Sequence, residues 1–148
     1  MYKFYKQTFL TITLFLIGLS ANAQFQFDWV EIMNGSLNTS TNGFTGGYSV
    51  TTDTNRNVYV TGGFKGTYDF DSDSSSIITK ISNGSEDIFI QKFNAEGDLI
   101  WIKTIGGTGE DFGLDIKIDA HGNVYIIGYF AGTVDFNSGP NFNNLITN

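Results

Sequence analysis

The chain has 148 residues, 8 of them basic and 15 acidic, giving a formal net charge of −7 with no cysteine. An acidic chain without a basic cluster argues against binding nucleic acid or anionic lipid through phosphate contacts, and the lack of cysteine removes disulfides and thiol chemistry. Eighteen glycines, a single proline and 16% aromatic residues suit short strands joined by tight turns rather than a disordered tail.

The first element is a candidate leader. MYKFYKQ carries two lysines, Phe9–Leu19 is free of charge, and Ser20-Ala21-Asn22-Ala23 places small residues at −3 and −1 of a cleavage site. This is the layout of a secretory signal peptide over residues 1–23. An uncleaved anchor is the alternative, but the apolar stretch falls short of the roughly 20 residues that a spanning helix needs. Cleavage after Ala23 leaves 125 of the 148 residues; losing Lys3 and Lys6 leaves 6 basic against 15 acidic, a net charge of −9. The expected location is therefore secreted or cell-surface, with one domain at most and no membrane span in the mature chain.

Next comes DWVEIMNGS (28–36), which matches LIWIKTIGGT (99–108) with Trp29 on Trp101, followed by a loop within 37–47. DTNRNVYVTGGFKGTYDF (53–70) then returns as DAHGNVYIIGYFAGTVDF (119–136), and 10 of the 18 positions are identical. In each copy a five-residue turn leads into a strand rich in β-branched and aromatic residues, Val58–Phe64 and 123–130. The turn's fourth residue is Gly122 in the second copy and Arg56 in the first. If the position adopts a left-handed conformation, arginine costs about 1 kcal/mol there. After the strand, KGTYDFDSDSSSIITKISNGSE (65–86) is a longer excursion. DIFIQKF (87–93), the turn NAEGD (94–98) and LIWIKTI (99–105) supply two further strands. GLDIKID (113–119) alternates polar and apolar residues, as a half-buried strand does. LIT (145–147) echoes IIT (77–79). Two hairpins per unit make a four-stranded antiparallel meander, and a fixed period of this size marks a repeat architecture.

The run D-x-x-G-N-V-Y-x-x-G, then G-T-x-D-F, then D-I-F-I-Q-K-F-x-x-x-G-x-L-x-W resembles the SBBP-type (seven-bladed β-propeller-type) repeats of secreted bacterial proteins. It is similar, more distantly, to NHL-type blades. The resemblance covers nearly all of 28–148 and implies an all-β fold, a partial β-propeller of about two four-stranded blades. After the signal peptide (1–23), it divides the chain into the last strand of a preceding blade plus loop (24–46), a complete blade (47–105), and a connecting loop with the first half of another blade (106–148). Propellers close with about four to eight blades, so the chain is expected to be a fragment or truncated product, or else a short chain that oligomerises into a ring.

Candidate chemistry is sparse. Asp69, Asp71 and Asp73 alternate in DFDSDS and could aim oxygens at one Ca²⁺. Ser74 and Lys80 stand where the full calcium loop has glycine and a carboxylate, and a solvated acidic turn is the plainer reading. GGTGEDFG (106–113) lacks the G-K-[ST] ending of a phosphate loop and reads as a connection between blades. Glu110 and Asp111 are adjacent, so an extended backbone points them to opposite sides. His121 sits in a turn without neighbours to tune it. The tryptophans could stack on sugar rings, but their repetition fits packing better, together with Val58, Tyr59, Phe64, Phe70, Phe89 and Ile100. Sequons at 34–36, 38–40 and 83–85 mark loops. The expected role is a non-enzymatic binding or adhesion scaffold for a protein or glycan partner, without a cofactor unless Ca²⁺ binds. A polysaccharide-active enzyme fragment and a structural remnant are the alternatives.

Overall fold

A computed structural model of the chain describes residues 29, 34–35, 43–71, 77–136 and 144–146. The expected signal peptide, the sequon at 38–40 and Asp73 lie outside these residues. Eleven strands follow in chain order: β1 (Asn34–Gly35), β2 (Phe44–Thr52), β3 (Val58–Lys65), β4 (Thr67–Asp69), β5 (Thr79–Ile81), β6 (Asp87–Phe93), β7 (Leu99–Ile105), β8 (Phe112–Ile118), β9 (Val124–Tyr129), β10 (Thr133–Asp135) and β11 (Asn144–Ile146). Every pairing is antiparallel, and the described residues contain no helix. The all-β architecture is compatible with partial propeller blades.

The main sheet has the order β2-β3-β6-β7. Between β3 and β6 the chain leaves the sheet and folds into the β4–β5 hairpin, to which β1 adds a third strand. Within the excursion at 65–86, residues 67–69 and 79–81 thus pair as antiparallel strands. Its ends are tied by the Gly66 N–H donating to Ser82 Oγ (2.9 Å) and the Ser82 N–H donating to the Gly66 carbonyl (3.0 Å). The sequon at Asn34–Gly35 is likewise strand rather than loop, since Asn34 pairs with Asp69 and Gly35 with Tyr68.

The second copy repeats this plan. Strands β8 and β9 pair as β2 and β3 do, and β10–β11 stands where β4–β5 does. Even the irregularities recur. The β2–β3 register slips between Gly47 and Ser49, and the β8–β9 register slips between Gly113 and Asp115, the corresponding residues. Each slip leaves one unpaired residue and sharpens the twist. Opposite it, a Cβ on Gly62 would lie 1.9 Å from the Gly46 carbonyl oxygen, and one on Gly128 would lie 2.0 Å from that of Phe112. Both positions demand glycine because the obstacle is backbone.

The repeated Asp…Asn phrase is a turn staple. Asp53 Oδ1 accepts the N–H groups of Asn55 (2.9 Å) and Asn57 (3.0 Å), while Oδ2 accepts from Asn57 Nδ2 (2.7 Å) and the Tyr59 hydroxyl (3.0 Å). Asp119 repeats all four contacts with His121, Asn123 and Tyr125. These donors favour the ionised form, with the Asn57 and Asn123 side-chain amides foremost, and hold both carboxyls below their usual range. Arg56 does adopt the left-handed conformation (φ 65°), as Gly122 does (φ 83°).

Side chains of a strand alternate between faces, and β6 is buried on both. Ile88 and Ile90 join Tyr59 and Ile116 in a cluster between the two copies, with Trp101, Ile105 and Ile126 packed against it. On the other face Phe89 joins Phe64, Tyr68 and Phe70 under the β4–β5 hairpin. The Phe64 and Phe70 rings meet edge to face at 5.0 Å, a favoured aromatic geometry. Of the expected core residues, Ile100 departs: it is 50% exposed, because its neighbour Trp101 takes the face against Tyr59.

Candidate functional site

The acidic turn, the junction between the copies and the open side of the second copy are the three places where chemistry or binding could sit. In the acidic turn, Asp69 Oδ1 accepts the N–H groups of Asp71 (3.2 Å) and Ile78 (2.9 Å). The carboxylate therefore closes the hairpin next to the backbone bond from the Phe70 N–H to the Ile78 carbonyl (3.0 Å). Asp71 is half-buried beside it. The described residues hold no group of three or more histidine, cysteine or acidic side chains able to share a metal ion.

At the junction, residues 106–111 carry the chain from β7 to β8, with Glu110 exposed and Asp111 buried. Asp111 Oδ2 accepts the Gly107 N–H (2.8 Å) and Oδ1 the Ala131 N–H (3.0 Å), pinning the connection to the second copy. Its own N–H donates to the Glu86 carbonyl (2.8 Å), pinning it to the first. Asp87, also buried, accepts the backbone and side-chain N–H groups of Asn83 at 3.1 and 3.3 Å. Burial, outweighing the Asn83 hydrogen bond and helped by the charge of Asp111, pushes the Asp87 carboxyl up to about 6. This pair of buried carboxylates is absent from the sequence reading. Its only trace is the dipeptide Glu-Asp at 86–87 and again at 110–111. Every oxygen of the pair is used in holding backbone, so the arrangement is a structural clasp.

A second cross-copy contact joins corresponding residues: the Ser49 hydroxyl donates to Asp115 Oδ1 (2.7 Å) across a sequence separation of 66. Lys117 Nζ donates to the same oxygen (2.9 Å). With the Ser49 hydroxyl as the leading donor, Asp115 is held down at about 2. His121 is exposed in its turn and contributes only its backbone N–H, to Asp119 (2.8 Å). Trp29 packs on Phe93, with ring centroids 5.7 Å apart. Trp101 packs on Tyr59 at 6.2 Å.

The open side of the second copy is apolar. Among the described residues β9 has β8 as its one partner, and a cleft of about 320 Å³ runs along it, lined by Ile126, Gly128, Tyr129, Phe130 and Phe136 with Ile88 and Ile105 opposite. It adjoins a second cleft in which Trp101 faces Val124 and Ile126. The β9 residues Tyr125 and Ile127 are 56% and 69% exposed.

The chain is similar to an uncharacterized WD repeat-containing protein of Acanthamoeba polyphaga mimivirus, at 31% identity over a 98-residue alignment that covers 57% of this chain and 7% of that protein. The chain thus spans a small fraction of that relative's length. No protein-family model and no solved structure matches it. The similarity points to a repeat protein of β-propeller-like type.

Proposed function

We propose that the chain is part of an exported repeat scaffold of the β-propeller type that binds a protein or glycan partner through its loops and hairpins and catalyses no reaction. The observation that carries the reading is the repetition of structural contacts. Turn staple, register slip, glycine close approach and aromatic pair all recur, so the shared residues are spent on folding. What varies in sequence between the copies is the stretch after Phe70 and Phe136. The outlying hairpins there expose Ile77 and Ile81 in the first copy and Ile146 in the second, and loops carried by a rigid sheet are where recognition resides. The WD-repeat similarity supports a scaffold, and export rests on the leader-like residues 1–23.

The test is expression of the whole chain in a bacterial secretion host. Mature protein beginning at Gln24 in the medium is the expected outcome, and retention in the cytoplasm overturns the export reading. The purified protein is then applied to glycan and surface-protein arrays, with and without Ca²⁺. Saturable binding that falls at least tenfold in Ile77→Ser or Ile81→Ser, with the fold intact by circular dichroism, supports the scaffold. Turnover of a bound glycan overturns it.

A further inference from the structure

The tripeptide Asn83-Gly84-Ser85 forms the bend between β5 and β6. We propose that Asn83 is a site of self-catalysed deamidation, in which the Gly84 backbone nitrogen displaces the side-chain nitrogen of Asn83 and Asp87 supplies the proton with which that nitrogen leaves as ammonia.

Nucleophile, leaving group and acid are all in place. Glycine has no Cβ to hinder the approach of its nitrogen to the preceding side chain. Asn83 and Gly84 are exposed, and among the described residues no acceptor takes the Gly84 N–H. Glycine is also imposed here, because a Cβ on Gly84 would lie 2.6 Å from both the Cα and the carbonyl oxygen of Thr108. The leaving nitrogen, Asn83 Nδ2, lies 3.3 Å from Asp87 Oδ2 and 3.4 Å from the Gly106 carbonyl. Both distances exceed the usual hydrogen-bond range, so the amide is loosely held. The acid is buried, and its two oxygens also accept the Asn83 backbone N–H at 3.3 and 3.1 Å, which fixes the carboxyl against the residue that reacts. Burial, with the charge of Asp111 on the facing connection, keeps part of Asp87 protonated near neutral pH, as suits a general acid. The adjacent Glu86 is paired instead with Lys65, at 3.8 Å. Elsewhere Asn-Gly occurs at 34–35 and 42–43. Asn34 and Gly35 are held in strand pairing with β4, and Asn42 lies outside the described residues.

The Gly84 nitrogen gives its proton to hydroxide and bonds to Asn83 Cγ. The tetrahedral centre then breaks its bond to Nδ2, which takes the Asp87 proton and departs as ammonia, leaving a cyclic imide. Water opens the imide to aspartate or isoaspartate, and solvent returns the proton to Asp87. The net change consumes one water and releases one ammonia, with no oxidant or reductant. It also sets a carboxylate where Asp87 had a donor, so like charges gather beside Asp111 and the tie from the bend to Gly106 is lost. The inference does not rest on the binding role proposed above, and either can fail alone.

The experiment incubates the whole chain in isotopically heavy water across neutral pH, beside a synthetic peptide of residues 80–90, and follows each asparagine by peptide mass mapping. Near pH 6, Asn83 should convert at least about tenfold faster in the chain than in the peptide, and by a similar factor faster than Asn34. At higher pH its rate should level off, since protonated Asp87 falls as hydroxide rises, whereas the peptide's rate should keep rising about tenfold per pH unit. Asp87→Asn should slow conversion about tenfold near pH 6 and restore the rise. Conversion no faster than in the peptide, a profile that follows the peptide's, or an Asp87→Asn chain that converts as the unaltered one does would overturn the inference. If Asp87→Asn speeds Asn34 and Asn83 together, the variant has unfolded, and the rate and profile of the unaltered chain decide alone.

Discussion

Residues 53–70 and 119–136 share their sequence pattern, turn geometry and register, yet they differ in burial. Tyr59 is 3% exposed and Tyr125 56%, although each hydroxyl rests on the same aspartate oxygen. The difference lies in what stands across from each strand. Tyr59 is covered by Ile116 of the second copy and the neighbouring Trp101, and β3 is flanked by β6. The described residues bring no equivalent to β9. Local sequence writes the turn and the strand, whereas burial is conferred by the next element.

Removing a ring from each aromatic pair should break the symmetry most. Phe64→Ala deletes a fully buried side chain and should cost about 3–5 kcal/mol. Phe130→Ala empties a partly open cleft and should cost about 1–2 kcal/mol, since less contact is lost. Urea denaturation of both variants checks this, and equal losses would mean that the second copy is as complete as the first. Gly62→Ala and Gly128→Ala, by contrast, should cost alike, about 1–3 kcal/mol each, because both drive a methyl into a carbonyl oxygen of the paired strand. A neutral Gly128→Ala would show that β8–β9 can relax where β2–β3 cannot.

The turns offer a smaller test. Arg56→Gly should stabilise the chain by about 1 kcal/mol, and Gly122→Arg should destabilise it by a similar amount, read as opposite shifts in Tm. The smallest effect is in pH. Asp87 has a raised folded pKa of about 6 against 3.8 unfolded, so the folded state binds the extra proton, and stability should rise as pH falls from about 7 towards 4. Asp115, held at about 2, and the lowered Asp53 and Asp119 work in the opposite sense. They favour the folded state above pH 4, and their contribution is lost as pH falls through their folded values. Tm should therefore be highest near pH 4–5, and Asp87→Asn should flatten the neutral limb alone.

Much of this was legible in the sequence because it is local. The fourth-position glycine announced a left-handed residue, the alternation in GLDIKID announced β8, and the doubled phrase announced the copies. The β4–β5 hairpin was not legible, since its strands are three residues each and its pairing with β1 joins distant segments. Nor was the clasp of Asp87 and Asp111: a buried carboxylate is recognised by the backbone N–H groups that converge on it, and those come from 83, 107 and 131. Ile100 was assigned to the core on hydrophobicity, but the strand's alternation had room for Trp101 or for Ile100 on that face, not both.

Native-state hydrogen exchange on the chain bears most directly on the claim that the same local sequence is buried in the first copy and exposed in the second. Slow exchange throughout β3, which is flanked by β2 and β6, and faster exchange along β9 is the predicted outcome. Exchange at β9 as slow as at β3 would contradict the claim.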